Sequence, residues 1–292
     1  MAGGTGQHDG PTVSRIVLGT HLRRLREAAG ITREEAGHAI RASHAKISRL
    51  ELGRVGFKER DVVDLLTLYG VTDEGERATV LELMRQANTK VWWQQHSDLL
   101  PNWFETYLRL EQVAKVIRTY QLQFVPGLLQ SEEYARAVIG HGHSRSTDEL
   151  DRRVQLRMER QQMLHQPEAP HLWAVIDEAA LHRLRCGGPL CRQQVEHLLE
   201  LAELPNVSLQ IATFDRGVHP ATGGPFTILR FPVQDLPDVV YLEHLNGALY
   251  LDKATDVEDY IDVWHRLCTH IDPPEHSWST LERIRSEVCE PG

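Results

Sequence analysis

The feature that most limits how this chain can fold is a series of short, capped helical segments near its N-terminus. Between residues 16 and 88, apolar residues recur at helical spacing in five short segments. Thr32, Ser43 and Thr72 are good N-cap residues, and Gly30, Gly53 and Gly70 are good residues to end a helix. The sequence therefore predicts a small all-α domain at this end of the chain.

Two of these segments are separated only by the three-residue turn "RAS". The first, "TREEAGHAI", carries Thr32 and Glu35 at the spacing of a capping box. The second, "SHAKISRLELG", places Ile47 and Leu50 on one face and leaves the outward face to His44, Ala45, Lys46 and Arg49. Two helices joined by a tight turn are typical of a helix-turn-helix domain. Taken alone, however, the second helix could also be an ordinary solvated basic helix.

The distribution of charge favours a nucleic-acid partner for this region alone. Residues 15–60 contain eleven Lys or Arg and five Asp or Glu, a net charge of +6. The whole chain has 32 basic and 41 acidic residues, so the remainder has 21 and 36, a net charge of -15. A basic segment on an otherwise acidic protein predicts that only the basic segment binds a polyanion.

Residues 16–70 resemble the XRE (lambda and 434 repressor-like) helix-turn-helix family, with its "LRxLREaaGlT", "S…iSRlExG" spacing. The resemblance implies that the third helix lies in the major groove of DNA, with His44, Ala45 and Arg49 facing the bases. It further implies that the DNA backbone is contacted by Arg33, Ser43, Lys46, Arg54 and Lys58. Arg26 and Glu51 match a partly buried structural ion pair that ties the first helix to the recognition helix.

The chemistry of these side chains agrees with those roles. An exposed Arg can present a bidentate fork to guanine N7 and O6, and Lys or Arg can neutralise phosphates. Two positions depart from the family pattern. Arg41 stands where the turn commonly has Gly, which predicts some backbone strain if its φ is positive, and Gly37 stands where the second helix commonly has Ala.

The rest of the chain mixes helical and strand patterns. Long helices are expected over residues 103–120 and 147–165, and strands in "HLWAVID", "VSLQIATF" and "FTILRF". The segment "VVYLEHLNGALYL" predicts a hairpin over the turn dipeptide Asn246-Gly247. We therefore predict an α+β protein with four parts: a disordered tail (1–14), a five-helix helix-turn-helix domain (15–88), a linker (89–102) and a C-terminal domain of helices with a four- or five-stranded sheet (103–289).

The C-terminal part is similar to the C-terminal domain of actinobacterial XRE regulators, a family that includes the WhiJ-like developmental regulators. The motifs "VPGLLQSEEYARAVI", "RMERQ", "VIDEAAL", "GGPFTILRF" and "VVYLEHLNG" follow one another in that family's order. The resemblance implies a transcription factor whose neighbouring gene often encodes a small partner protein, in an antitoxin-like arrangement.

Catalytic and metal sites are weaker hypotheses. Asp177 and Glu178, with Glu243, could act as acid and base, but Glu178 is equally suited to open a helix. His265, Cys268 and His270 do not all share one helical face, so no metal site is expected. Phosphate-binding loops of the GxxxxGKS and GxGxxG types are absent from the sequence. We expect neither enzymatic activity nor a cofactor.

Together these patterns predict a homodimeric, cytoplasmic transcriptional regulator, a repressor or autoregulator, that binds a palindromic operator in double-stranded DNA. The C-terminal domain is expected to supply dimerisation and to bind a protein partner or an unidentified small-molecule effector. The alternative is an antitoxin-like protein that mainly binds a small partner protein. No stretch approaches the ~18 apolar residues of a membrane span, and the four cysteines lack a CxxC pattern, so reduced thiols are expected.

Overall fold

A computed structural model describes residues 11–88, 92–142, 146–183, 188–232 and 237–289 of the chain. The chain divides into an N-terminal unit that ends at Gln94 and a larger C-terminal unit that begins at Gln95. Of the tail predicted over residues 1–14, residues 11–14 belong to the first helix, and residues 1–10 lie outside the described residues. In the predicted linker, Trp92–Leu99 form a 3-10 helix.

The N-terminal unit contains the five helices that the capping pattern predicts. They are α1 (Pro11–Ala28), α2 (Arg33–Ala39), α3 (His44–Glu51), α4 (Glu59–Leu68) and α5 (Glu74–Ala87). The three helix-ending glycines have positive φ angles of 68°, 64° and 78°, at Gly30, Gly53 and Gly70. One cap differs from the prediction, because Asp73 rather than Thr72 accepts a hydrogen bond from the first turn of α5, at Glu76 N.

The apolar residues of the N-terminal unit pack together in a single core. All five helices contribute to one buried cluster, which includes Leu18, Ala36, Ile47, Leu66 and Val80. Each of these side chains is at most 3% exposed. Since α2, α3 and α4 are too short to be stable in isolation, their orientation depends on this shared core.

The C-terminal unit combines a mixed sheet with helices. Its helices are α6 (Asn102–Val113), α7 (Glu132–Gly142), α8 (Thr147–Gln161), α9 (Glu178–His182), α10 (Gly188–Ala202), α11 (Ala254–His270) and α12 (Ser277–Ile284). Short 3-10 helices span Gly127–Leu129, Gln162–His165, Phe214–Arg216 and Pro274–His276, and a π-helix spans Arg285–Cys289.

The sheet has six strands rather than the four or five predicted. They are β1 (Val116–Gln121), β2 (His171–Asp177), β3 (Val207–Ala212), β4 (Phe226–Arg230), β5 (Val239–His244) and β6 (Gly247–Leu251), in the order β3-β2-β1-β4-β5-β6. β1, β2 and β3 are parallel, whereas β4, β5 and β6 each pair antiparallel to the preceding strand of the order. Three parallel strands therefore end at one edge of the sheet.

The additional strand is β1, which lies inside the helix predicted over residues 103–120. Helix α6 stops at Val113, and the following residues carry β-branched and aromatic side chains whose burial alternates for part of the strand. The predicted hairpin is present, but its register pairs His244 with Gly247, so the two loop residues are Leu245 and Asn246. The turn is one residue earlier than the Asn-Gly signal indicates.

Helix α11 covers one face of the sheet. Trp264 and Leu267 of α11 are fully buried in a cluster with Val175 of β2, Tyr120 of β1 and Phe226 of β4. Because side chains alternate along a strand, Leu172, Ala174 and Ile176 of β2 point to the opposite face, where they too are fully buried. Both faces of the central strands are therefore covered by protein.

The sequence motifs "VPGLLQ" and "RMERQ" contact each other in this unit. The Gln161 side chain donates to the carbonyl oxygens of Gly127 and Gln130, each at 2.8 Å, and Arg157 donates to Gln130 Oε1 at 2.6 Å. Arg160 forms two hydrogen bonds of 2.5 and 2.6 Å with the buried carboxylate of Glu111. These contacts give the motif residues a structural role in joining α8 to the loop after β1 and to α6.

Two further observations concern the predicted environment of the chain. None of the described helices is long and apolar enough to cross a membrane. The expectation of reduced thiols is wrong for Cys191, which is buried and disulfide-bonded, whereas Cys268 is a free thiol. Spacing along the sequence does not reveal which cysteines the fold brings together.

Candidate DNA-binding surface

The turn between α2 and α3 fixes the start of the recognition helix. The Thr32 side chain accepts from Glu35 N at 3.2 Å and Glu35 accepts from Thr32 N at 2.7 Å, so the predicted capping box is formed. Arg41 has a φ of 53°, as its place in the turn suggested, and Ala42 N donates to Gly37 O at 2.8 Å. A Cβ on Gly37 would lie only 2.6 Å from Ala42 O, so glycine at this position permits the tight turn.

Helix α3 is capped at both ends. Ser43 Oγ accepts from Lys46 N at 3.3 Å, and at the other end Gly53 adopts a positive φ while Arg54 N donates to Arg49 O at 2.8 Å. Ile47 and Leu50 are buried, as the amphipathic pattern predicts. The opposite side of the helix exposes His44, Ala45 and Arg49 together.

The structure brings Arg26 and Glu51 together in a buried ion pair. Arg26 Nε lies 2.5 Å from Glu51 Oε1, and the Glu51 side chain is only 2% exposed. Burial would lower the pKa of the Arg26 guanidinium, but the hydrogen bond and charge of Glu51 outweigh it and raise that pKa. Burial, followed by the charge of Glu51, also raises the pKa of Tyr69, so its phenol stays neutral. This pair connects α1 to the end of α3.

Two of the residues expected to contact the DNA backbone also pair with buried carboxylates. Arg33 Nε lies 2.8 Å from Glu51 Oε2, and Lys46 Nζ lies 2.7 Å from Asp61 Oδ2. About a third of each basic side chain remains exposed, 35% for Arg33 and 32% for Lys46. Both residues therefore stabilise the domain while keeping part of their surface on the outside.

The remaining predicted backbone contacts differ in exposure. Lys58 and Ser43 are exposed and Arg54 is half-buried. Neither Arg49 nor Lys58 has a carboxylate partner among the residues that the structure describes. Uncompensated cations of this kind are free to bind phosphates or base edges.

Two residues in or beneath this surface, Arg41 and Asp61, have no predicted part in DNA binding. Arg41 is exposed in the turn before α3 and adds a cation near the start of that helix. Asp61 is only 3% exposed, and its carboxylate forms an ion pair with Lys46. The sequence does indicate that Asp61 needs a cationic partner. Helical spacing places it on the buried face of α4 with Leu65, where an unpaired carboxylate is costly.

Two of the candidate catalytic residues of the C-terminal unit, Glu178 and Glu243, form hydrogen bonds within the protein. Glu178 is 3% exposed and accepts from Phe214 N at 2.8 Å and from Arg283 Nη2 at 3.0 Å. Although burial opposes it, these hydrogen bonds lower the pKa of the Glu178 carboxyl. Glu243 accepts a hydrogen bond from the Tyr241 hydroxyl at 2.9 Å. The described residues contain no His, Cys, Asp and Glu group able to hold a metal ion.

Comparison with protein families identifies both parts of the chain. Residues 17–80 match the model of a helix-turn-helix domain, which supports DNA binding by the N-terminal unit. Residues 104–283 match the model described as a domain of unknown function (DUF5753), and this match covers more than half of the 292 residues. Searches of curated proteins and of solved structures found no significant match. The chain belongs to the DUF5753 family.

Proposed function

We propose that this member of the DUF5753 family is a sequence-specific transcriptional regulator in which α3 lies in the major groove of double-stranded DNA. The observation that carries the proposal is the exposed face of α3, where His44, Ala45 and Arg49 lie together on a helix whose other face is buried. A helix held in this way can present its side chains to base edges without reorganising.

The proposed contacts divide by chemistry. Arg49 suits a bidentate contact with guanine, and the Ala45 methyl group suits apolar contact with the methyl group of thymine. Ser43 lies at the N-terminus of α3, where backbone N–H groups attract a phosphate. Lys58 contributes an uncompensated charge, and Arg33, Lys46 and Arg54 add partly exposed basic side chains along the same surface.

The experiment starts from an operator selected from a library of random DNA duplexes by the full-length protein. We expect Arg49→Ala to weaken operator binding by about 1–3 kcal/mol and to relax the preference at one base pair. Lys58→Ala should weaken operator and random DNA equally and reduce the salt slope of log K by about 1. Arg85→Ala is the matched control, because Arg85 is exposed on α5 and pairs only with Glu82 among the described residues.

The two DNA-contacting variants must behave differently. Equal loss of specific and non-specific affinity in Arg49→Ala would show that Arg49 does not contact a base. No loss in either variant would reject α3 as the DNA-contacting helix.

We also propose that the protein binds a palindromic operator as a homodimer. One eight-residue recognition helix contacts too few base pairs for useful discrimination in a genome, and helix-turn-helix proteins commonly use two half-sites about one helical turn apart. A dimer on such a site would exclude polymerase, so repression or autoregulation is the expected effect. A protein that binds DNA in this way is expected in the cytoplasm. Light scattering of the full-length protein and nuclease protection should show a dimer on a two-fold symmetric site, and a monomer would reject this step.

The antitoxin-like alternative differs in one measurable property. It requires a stable stoichiometric complex with a small protein encoded by a neighbouring gene. Coexpression with that protein, followed by size-exclusion chromatography, separates the two hypotheses, because a regulator acting alone gives no complex. The alternative would be favoured if the Arg49→Ala variant still formed the complex with the small protein although it no longer bound DNA.

A further inference from the structure

A cleft in the C-terminal unit lies where the parallel strands end. Its volume is about 400 Å³, within the range of small-molecule sites, and Tyr120 at the end of β1 and Asp177 at the end of β2 both line it. In the sheet, β2 and β3 lie on one side of β1, and β4 lies on the other side. Because β4 pairs antiparallel with β1, the segment that connects β3 to β4 starts and ends at this edge of the sheet, where its residues 217–219 line the cleft.

Three polar side chains in this cleft form a directed hydrogen-bond chain. His219 Nδ1 accepts from Ala221 N at 3.3 Å, so the ring proton is assigned to Nε2. Nε2 then donates to the Tyr120 hydroxyl oxygen at 3.1 Å, and that hydroxyl donates to Asp177 Oδ2 at 3.3 Å. Burial and the nearby Asp177 charge raise the pKa of Tyr120, so its phenol stays a donor. His219 Nε2 also lies 3.6 Å from Asp177 Oδ2, so the three side chains form one compact cluster around the Asp177 carboxylate.

The carboxylate of Asp177 is positioned by a second hydrogen bond. Its Oδ1 accepts from Ala179 N at 2.8 Å, at the start of α9. The Asp177 side chain is nevertheless 18% exposed, and it lines the cleft. Because each carboxylate oxygen has two lone pairs, Asp177 can accept a further hydrogen bond from a ligand.

Arg183 supplies the opposite charge among the residues that line the cleft. Arg183 follows α9, is exposed, and lines the same cleft. No hydrogen bond or ion pair joins its side chain to another part of the chain that the structure describes. Leu122 and Val218 supply apolar surface beside these groups, and Val218 is 89% exposed at the loop after β3. The cleft thus offers an anion, a cation and an apolar wall within a small volume.

We propose that this cleft binds a small zwitterion of the amino-acid type, whose ammonium group contacts Asp177 and whose carboxylate contacts Arg183. A polyphosphate or dicarboxylate ligand would place negative charge beside Asp177 with only one cation to offset it, and a simple amine would leave Arg183 without a partner. A zwitterion satisfies both charges, and its side chain contacts Leu122 and Val218. The inference does not depend on the proposed DNA-binding function.

Binding is tested with the full-length protein by isothermal titration calorimetry and thermal shift. The probes are the free common L-amino acids and simple dipeptides at millimolar concentration, each compared with its N-acetylated and its C-amidated form. Free zwitterions should bind and raise the melting temperature, since a ligand that binds only the folded state stabilises it. Both blocked forms should bind at least about tenfold more weakly, because each loses one charged hydrogen bond.

Variants connect the binding to this cleft. Arg183→Gln should weaken binding at least about tenfold without affecting folding, because the side chain is exposed. Asp177→Asn, which retains the capping oxygen, should also weaken binding at least about tenfold. Arg266→Gln is the matched control, because Arg266 is exposed on α11 outside the cleft, and it should bind normally.

Four outcomes would overturn the proposal. Failure of every free amino acid and dipeptide to bind would reject the ligand class. Equal binding of the N-acetylated forms would reject recognition of an ammonium group by Asp177. Normal binding by Arg183→Gln, or an equal loss in Arg266→Gln, would place the site elsewhere.

Discussion

Glu51 provides the sharpest test of how the N-terminal unit is held together. Its buried carboxylate accepts hydrogen bonds from Arg26 and Arg33 at 2.5 and 2.8 Å, and thereby joins α1, α2 and α3. Glu51→Ala leaves the Arg26 guanidinium, which is 8% exposed, without its main partner. Removing one member of a buried pair typically costs about 3–5 kcal/mol. Because Arg26 keeps its bond to Ile31 O and Arg33 is 35% exposed, we expect a loss of about 3 kcal/mol.

The loss is measured by thermal unfolding of a fragment that spans residues 11–94. In a domain of this size, 1 kcal/mol corresponds to about 4–8 °C, so the melting temperature should fall by about 12–24 °C. The matched control is Glu27→Ala, because Glu27 also contacts Arg26, at 3.2 Å, but is 51% exposed. An exposed pair of this kind contributes at most about 1 kcal/mol.

A double-mutant cycle then isolates the pair itself. If Arg26 and Glu51 stabilise the domain through each other, Arg26→Met should cost less in the Glu51→Ala background than in the parent protein. A Glu51→Ala fragment that melts within about 4 °C of the parent would refute the assignment, because that shift corresponds to only about 1 kcal/mol. So would an equal loss in Glu27→Ala.

Two further predictions concern packing and pH. Gly37→Ala should lower the melting temperature of the same fragment, because the added Cβ would lie 2.6 Å from Ala42 O; a wild-type value would contradict the close approach. Burial lowers the pKa of His197, so the unfolded chain binds its proton more readily, and the stability of the C-terminal unit should fall as the pH drops below about 6.5. Urea titrations across pH should show that dependence reduced by His197→Gln but not by His276→Gln, whose parent side chain is 63% exposed.

The parts of the fold predictable from sequence are those that local chemistry determines. Thr32, Ser43 and Gly53 act on backbone groups within a few residues of themselves, so their caps could be predicted without any tertiary contact. The exposed side of α3 was likewise predictable, because helical periodicity separates Ile47 and Leu50 from Arg49.

The parts that sequence analysis missed depend on distant contacts. Val116–Gln121 directly follow a helix and continue its apolar spacing, and only their pairing with β2 and β4 makes them a strand. Tyr120 and His219 are 99 residues apart and meet only because β1 ends beside the loop after β3. No local pattern indicates such a cluster, so the C-terminal cleft could not be predicted.

Sequence charge also overstates the positive potential of the DNA-binding surface. Residues 15–60 carry a net charge of +6, but Arg26, Arg33 and Lys46 pair with Glu51 and Asp61. In each pair the positive and negative charges largely cancel, so these cations are less available to bind phosphates. Uncompensated charge is therefore concentrated at Arg41, Arg49 and Lys58 around α3, whereas the exposed Arg60 side chain lies 3.9 Å from the Asp61 carboxylate. Since each neutralised phosphate contributes about 0.9 to the salt slope, we expect a modest slope for each chain, and we expect specificity to come from the proposed base contacts of α3.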